Sequence, residues 1–509
     1  MRVLSIFFLL ILSACHSSKE LSNTYQERFI NADAYYNYRY EMMKRVSKSH
    51  YTTSVGDLDS LEQKANLVFV ELCNTEKDRL KDFFPPSKHF CEVRKKIELS
   101  PFFDLVQKLP KGAMTRGHMQ NIGDYKWLLE QAFENDNAFV FVGGDSPSWI
   151  NHSLHFFDKP PSNKWRSLKS LNIAYDGAFI DEVYALITLG KEEHPYSEMT
   201  KEYSHLKQRV KGLLQYRPLF RDYVKKIFEG FISENIQYVE IHSSFNGMYD
   251  LKRSYFNPSQ EMDLYVSIRN EIRKEYPQFD FKVIYSLDQS EKEKSLKEHY
   301  EIALDLYEQF PDVFGGFDFA TKKFDKAEVK SLVGQYFKTQ EDPYYAEMFL
   351  PLFFNPDAFS QNFHEGIYDA ILLNAQRVGY GLELYKHPEL MALVKEKGIA
   401  IEISPISDQA FQLVPDLQKH PVEVYMNNGI PFILGSEKQG VLKHSFSHQF
   451  YEAILAWNLD LIGIKYLIQN SIKHSLKDES EKTAFMHQWS NQWTVFLQDV
   501  INNTSRYKY

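Results

Sequence analysis

Cysteine is scarce, with only three in 509 residues. None of them forms a Cys-x-x-Cys pair or a Cys/His cluster, so a zinc finger, a zinc ribbon and a dithiol redox motif are excluded. Basic charge is also in short supply. The 59 Lys and Arg are outnumbered by 68 Asp and Glu, for a formal net charge of −9. Phosphate-backbone binding rests on clustered basic side chains, so nucleic acid is not expected as a partner. Local runs such as Lys322-Lys323 are too short to reverse this. Also missing are a Gly-x-Ser-x-Gly elbow, a glycine-rich phosphate loop and a His-Glu-x-x-His motif, which removes the commonest hydrolase and nucleotide-binding signatures.

Aromatic side chains are plentiful, with 39 Phe and 32 Tyr, and they suit a large, filled core. The chain opens with Met1-Arg2, an apolar run from Val3 to Ile11, and Leu12-Ser13-Ala14-Cys15. That run is too short to span a bilayer, which takes about 20 apolar residues. It reads as an export signal. Leu-Ser-Ala-Cys resembles the bacterial lipobox, which implies a lipid-modified Cys15 as mature N-terminus; an ordinary signal peptide is the alternative. His16, in place of an Asp, points toward the outer membrane, on its periplasmic face or at the cell surface. In an oxidising compartment the remaining pair, Cys73 and Cys91, is expected to form a disulfide, with two buried free thiols as the alternative.

Three regions follow: a signal peptide over 1–15, a polar tether and helical extension over 16–99, and a large domain over 100–509. The extension carries a tyrosine-rich face (Tyr35, Tyr36, Tyr38, Tyr40) and a break at Pro85-Pro86. Beyond Pro110, short apolar runs alternate with long amphipathic stretches. The runs are Gly112–Met119, Tyr238–Ser244, Phe281–Asp288, Val313–Thr321, Met348–Pro356, Arg377–Gly381, Ala400–Ser407 and Pro431–Glu437. Such runs separated by helices predict parallel strands buried on both faces. Eight of them predict a (β/α)8 barrel, with a large open α/β sheet as the alternative, and in a barrel the chemistry belongs at the C-terminal strand ends.

Motifs at those ends carry a resemblance. Pro110-Lys111-Gly112-Ala113 is followed by Arg116-Gly117-His118, and Phe220-Arg221-Asp222-Tyr223 by Tyr238-Val239-Glu240-Ile241. Next come Gly316-Phe317-Asp318, Arg377-Val378-Gly379-Tyr380-Gly381 with Lys386-His387-Pro388, and Ser404-Pro405-Ile406-Ser407-Asp408-Gln409 with His420-Pro421. Asn470-Ser471-Ile472-Lys473 and the Trp489/Trp493 segment close the series. In this order, from about Ser100 to the C-terminus, they resemble the secreted adenosine deaminases of the growth-factor type. That family deaminates purine nucleosides with a zinc-bound water. Its ligands are both His of His-x-His, the His of Phe-His-Ala-Gly-Glu and the first Asp of Ser-Asp-Asp, while a Glu moves the proton and a His and an Asp orient the hydroxide.

The sequence departs from the family at nearly all of those positions. Arg116 stands for the first His, leaving His118; Asn355 stands for the third ligand His and Ala358 for the proton-moving Glu. Tyr380 replaces the orienting His, Glu437-Lys438 replaces Asp-Asp, and Thr321 replaces a glycine beside the purine. Fixed charge at Arg116 and Lys438 would repel a divalent cation and could pair with Glu437 or Asp357 instead. A shifted alignment using His364-Glu365 is the competing reading of the third ligand. His118 and His242 read as hydrogen-bonded pocket histidines, and Tyr380 as core filler or as a hydroxyl donor.

The resemblance therefore implies a barrel whose mouth holds Arg116, His118, His242, Thr321, Asn355, Tyr380, Glu437 and Lys438. Catalysis at Ala358, Tyr380 and Lys438 is expected to be lost, and no cofactor is expected. The chain reads as a pseudoenzyme that binds a small molecule, a purine nucleoside among the candidates, or a protein. The alternative is an active zinc aminohydrolase with a metal site rebuilt from His118, His242, Glu437 and Asp357. The resemblance also implies that the N-terminal extension takes part in dimerisation, and lipid at Cys15 would make the membrane a further partner.

Overall fold

The structure, a computed structural model, describes residues 32–49, 59–143, 152–190, 196–245, 247–252, 254–287, 294–320, 326–341, 350–355 and 363–508. Cys15, Thr321, Asp357 and Ala358 lie outside these residues. Two units are distinguished, 1–52 and 53–509. Within the first, helix Ala32–Ser49 leaves Tyr35, Tyr36, Tyr38 and Tyr40 exposed.

The second unit is built on eight parallel strands: β1 (Gly112–His118), β5 (Ile236–Ser243), β6 (Asp280–Ser286), β7 (Phe314–Ala320), β8 (Leu352–Asn355), β9 (Arg377–Gly379), β10 (Ala400–Ile403) and β11 (Phe432–Leu434). They pair in that order, and helices surround them. The gap between the last and first strands is bridged where the Ser436 N–H donates to the Arg116 carbonyl at 3.0 Å. The result is a nearly closed (β/α)8 barrel, not an open sheet. Each expected run overlaps one strand, because a strand covered on both faces is apolar along most of its length. All eight residues of β5 are buried.

One element was not expected. β2 (Ala138–Phe141), β3 (Leu154–Phe156) and β4 (Trp165–Ser167) form a separate antiparallel sheet in the order β3-β2-β4. It is held by aromatic stacking: His155 lies 4.4 Å from both Phe157 and Tyr249, centroid to centroid. Strands of three or four residues are too short for an alternation to stand out from their surroundings.

Helix Ser60–Leu80 starts from an Asp59/Glu62 capping box and buries Ala65, Phe69, Leu72, Cys73 and Glu76. It is continuous in packing with the barrel. Glu62 accepts from Trp493 Nε1 at 2.9 Å and from Lys465 Nζ at 2.7 Å, and Glu76 accepts from Ser100 Oγ at 2.7 Å and from Tyr451. The expected disulfide between Cys73 and Cys91 is corrected, since both thiols are free. Cys73 is part of the buried face of its helix. Cys91, on helix Phe90–Glu98, places its Sγ 3.8 Å from the Leu189 carbonyl. Burial pushes both thiols above their ordinary range.

Candidate functional site

Arg116 and His118 are two residues apart on β1, so both side chains leave the same face of the strand. Arg116 is 2% exposed. Its Nε donates to Glu437 Oε1 at 2.5 Å and its Nη1 to Glu402 Oε2 at 2.7 Å. Room for the guanidinium comes from Gly379, where a Cβ would fall 1.9 Å from Arg116 Nη1. The Arg-Val-Gly-Tyr-Gly motif at β9 therefore fits the arginine as well as the fold.

Glu437 is the hub. Besides Arg116, its carboxylate accepts from Lys438 Nζ at 2.9 Å and from the Tyr380 hydroxyl, and His118 Nε2 lies 3.5 Å away. Lys438 Nζ is also 2.7 Å from the Tyr380 oxygen and sits against the rings of Phe411, Tyr380 and Tyr203. Tyr380 and Lys438 both adopt left-handed backbone conformations, at φ 51° and 60°, which is rare for side chains of this size and is held by the surrounding structure. Burial alone would push the Glu437 carboxyl up. Arg116 first, then Lys438 and the His118 hydrogen bond, hold it well below the usual range. Burial works against the Arg116 and Lys438 charges too, but Glu437 outweighs it and raises both. Burial combined with Glu437 raises the Tyr380 phenol well above its ordinary value, so it stays a hydroxyl donor.

A second cluster faces His118. His118 and His242 are register partners across β1 and β5, with ring centroids 5.0 Å apart. His242 Nδ1 is 2.8 Å from Asp318 Oδ2, which also accepts from Ser286 Oγ at 3.0 Å. Burial opposes ionisation of Asp318, yet the His242 hydrogen bond keeps its carboxyl below the ordinary value. An ionised carboxylate only accepts, so His242 Nδ1 carries the hydrogen. Burial lowers the His118 pKa, with partial compensation from Glu437.

Deeper in the barrel, Arg377 joins Glu402 at 2.7 Å to Glu240 and to the His474 carbonyl at 2.7 Å. Asn355 ends β8 opposite Ala320. His364 lies in helix Phe363–Leu372, one residue past its start.

A model of the family described as adenosine deaminase matches residues 178–491. The chain belongs to the adenosine deaminase family. It is 29% identical over 465 residues to adenosine deaminase 2 of Homo sapiens, covering 87% of this chain and 89% of that protein. With adenosine deaminase 2 of Dictyostelium discoideum it shares 26% identity over 459 residues, 88% and 84% of the two chains. Among solved structures, an N6-mAMP deaminase from Arabidopsis superposes with a TM-score of 0.55 at 16% identity, over 76% of this chain and 99% of that one; this likeness concerns the fold.

The residues present do not fit the family's zinc arrangement. At the first ligand position the donor set holds a guanidinium, and the one carboxylate left, Glu437, is bound to two cations and a hydroxyl. Arg116 and Lys438 together supply two positive charges to that carboxylate, the same formal charge as a zinc ion. The sequence reading named Arg116, His118, His242, Tyr380, Glu437 and Lys438, and the fold gathers these at one end of the barrel. It did not name Glu402, Asp318 or Tyr203 as members. The available signal was a charged residue inside an otherwise apolar strand, at Glu240 and Glu402, since such a residue needs a partner.

Proposed function

We propose that the chain is a non-deaminating member of the adenosine deaminase family whose barrel mouth binds a small polar molecule, with purine nucleosides the first class to test. The observation that supports this reading is the saturation of Glu437. A carboxylate tied to Arg116, Lys438 and Tyr380 already has its charge balanced by two cations, which oppose a divalent ion at the same position. Loss of a general acid–base group costs about 10²- to 10⁴-fold, and Ala358 and Tyr380 stand at two such positions.

His118, whose side chain is 21% exposed, remains as a polar contact for a ligand, and mixed apolar and polar lining is what small-molecule pockets use. The test is an inosine-formation assay with adenosine and 2′-deoxyadenosine, run beside a thermal-shift screen of nucleosides and nucleobases. Stabilisation without turnover supports the reading, and turnover would sink it. A second reading, an active aminohydrolase with a rebuilt metal site, draws on the close approach of His118, His242 and Asp318.

In the same proposal the chain is an exported lipoprotein anchored through Cys15 and self-associating through its N-terminal extension. Two acyl chains suffice for stable anchoring where one does not. Replacing Cys15 by Ser should release the protein from the membrane fraction, and light scattering of the soluble protein reports its assembly.

A further inference from the structure

We infer that His118, His242 and Asp318 form a site for one divalent transition-metal ion, displaced from the family's zinc position and formed by the ends of β1, β5 and β7. The three side chains each offer a donor atom, and these atoms all lie within 4.8 Å of one another. Donors around a tetrahedral ion bound at 2.0–2.2 Å are about 3.4 Å apart, so the set has to close by at most about 1.4 Å.

The hydrogen-bonding pattern supports a ligand here. Asp318 Oδ2 is taken by His242 Nδ1 and Ser286 Oγ, whereas Asp318 Oδ1 and His242 Nε2 are buried and have no partner. One carboxylate cannot hold Nδ1–H and also ligate an ion on Nε2, which faces away from it, so the ion takes His242 through Nδ1 in place of the hydrogen shared with Asp318 Oδ2 at 2.8 Å, and that proton is released to solvent. Buried polar atoms are seldom left unpaired, and Asp318 Oδ1 keeps an acceptor site free for an ion.

Charge points the same way. Three buried carboxylates, Glu240, Glu402 and Glu437, each contact an arginine. Asp318 has no Lys or Arg ion pair among the described residues, and its charge faces His242. Two imidazoles and one carboxylate suit zinc, cobalt, nickel or iron(II) and not calcium or magnesium. Rigidity is supplied by the strands, since His118 is the register partner of His242 and Ser286 that of Asp318. The His118 side chain, 21% exposed, gives the ion its way in. Two of the three residues stand outside the family's ligand positions, and the inference does not depend on the absence of deamination.

The test uses the full chain stripped with chelator, then titrated with Zn²⁺ in a calorimeter and with Co²⁺ while visible d–d absorption is followed. One equivalent should bind. His118→Ala, His242→Ala and Asp318→Asn should each weaken it by about tenfold or more, as loss of a ligand or of its supporting partner does. His118, at the surface of the mouth, is the variant expected to fold normally, and thermal melts of all three confirm folding. No stoichiometric binding overturns the inference, as does binding that none of the three substitutions changes. Binding that is lost on Glu437→Gln but kept in Asp318→Asn places the ion at the family position and overturns it too. Metal binding without inosine formation leaves the proposed function standing; turnover in the loaded protein would refute that function and not this site.

Discussion

Two ion clusters share the barrel interior, and they differ in how completely they are satisfied. At the deep cluster, Arg377 donates to Glu240, Glu402 and the His474 and Thr115 carbonyls, and Glu240 accepts from the Leu476 N–H at 2.6 Å. It leaves no guanidinium nitrogen and neither Glu240 oxygen among the unpaired atoms. At the mouth, Arg116 Nη2, His242 Nε2 and Asp318 Oδ1 are all buried without a partner. Because desolvating a charge costs several kcal/mol, the two patterns mean different things. A closed network holds the strands together, and an open one is arranged for something else to complete it.

Arg377→Met should have the largest effect. It strands Glu240 in a dry interior and takes from Glu402 one of its two arginines, a loss of about 3–5 kcal/mol, visible in denaturant melts or as insoluble protein. A cost under about 1 kcal/mol would mean that the deep cluster is not structural. Glu437→Gln should cost less, roughly 1–3 kcal/mol, because Arg116 keeps Glu402 and Lys438 keeps its aromatic neighbours. Equal costs for the two variants would erase the distinction between the clusters.

Glu452 gives a third comparison, an acid buried with neither cluster's cations. Both of its carboxyl oxygens lack a partner, and burial pushes its pKa up to about 8. The folded state therefore holds the proton more tightly than the unfolded state. This contribution to stability is full below the ordinary glutamate value and is lost as pH rises from there to about 8. Between about pH 6 and pH 9 the melting temperature should fall in the native chain and fall less in Glu452→Gln. Parallel pH profiles would show that Glu452 has a partner in solution. The smallest effect concerns the thiols: a reductant should shift stability by less than about 0.5 kcal/mol, and intact mass should show no two-hydrogen deficit. A gain of two mass units on reduction would restore the disulfide between Cys73 and Cys91.

The eight strands were legible because burial on both faces forces an apolar run, and that requirement is local. Runs such as Tyr238–Ser244 and Ala400–Ser407 carry it whatever lies beside them. The substitutions at Arg116, Asn355, Ala358, Tyr380 and Lys438 were legible for a similar reason, since each is read at one position within a motif. The β2–β4 sheet was not, because strands of three and four residues in this aromatic-rich segment take their stability from stacking across the sheet.

Composition and motif order determined the fold class, the family likeness and the loss of the family's metal ligands. Tertiary structure alone decided the partners. Glu402 stands 286 residues from Arg116, Glu437 stands 321 from it, and Asp318 stands 76 from His242. No periodicity links residues that far apart. Whether a buried charge ends as a closed ion pair or as an open ligand is set by which strand ends the barrel brings within about 3 Å of one another.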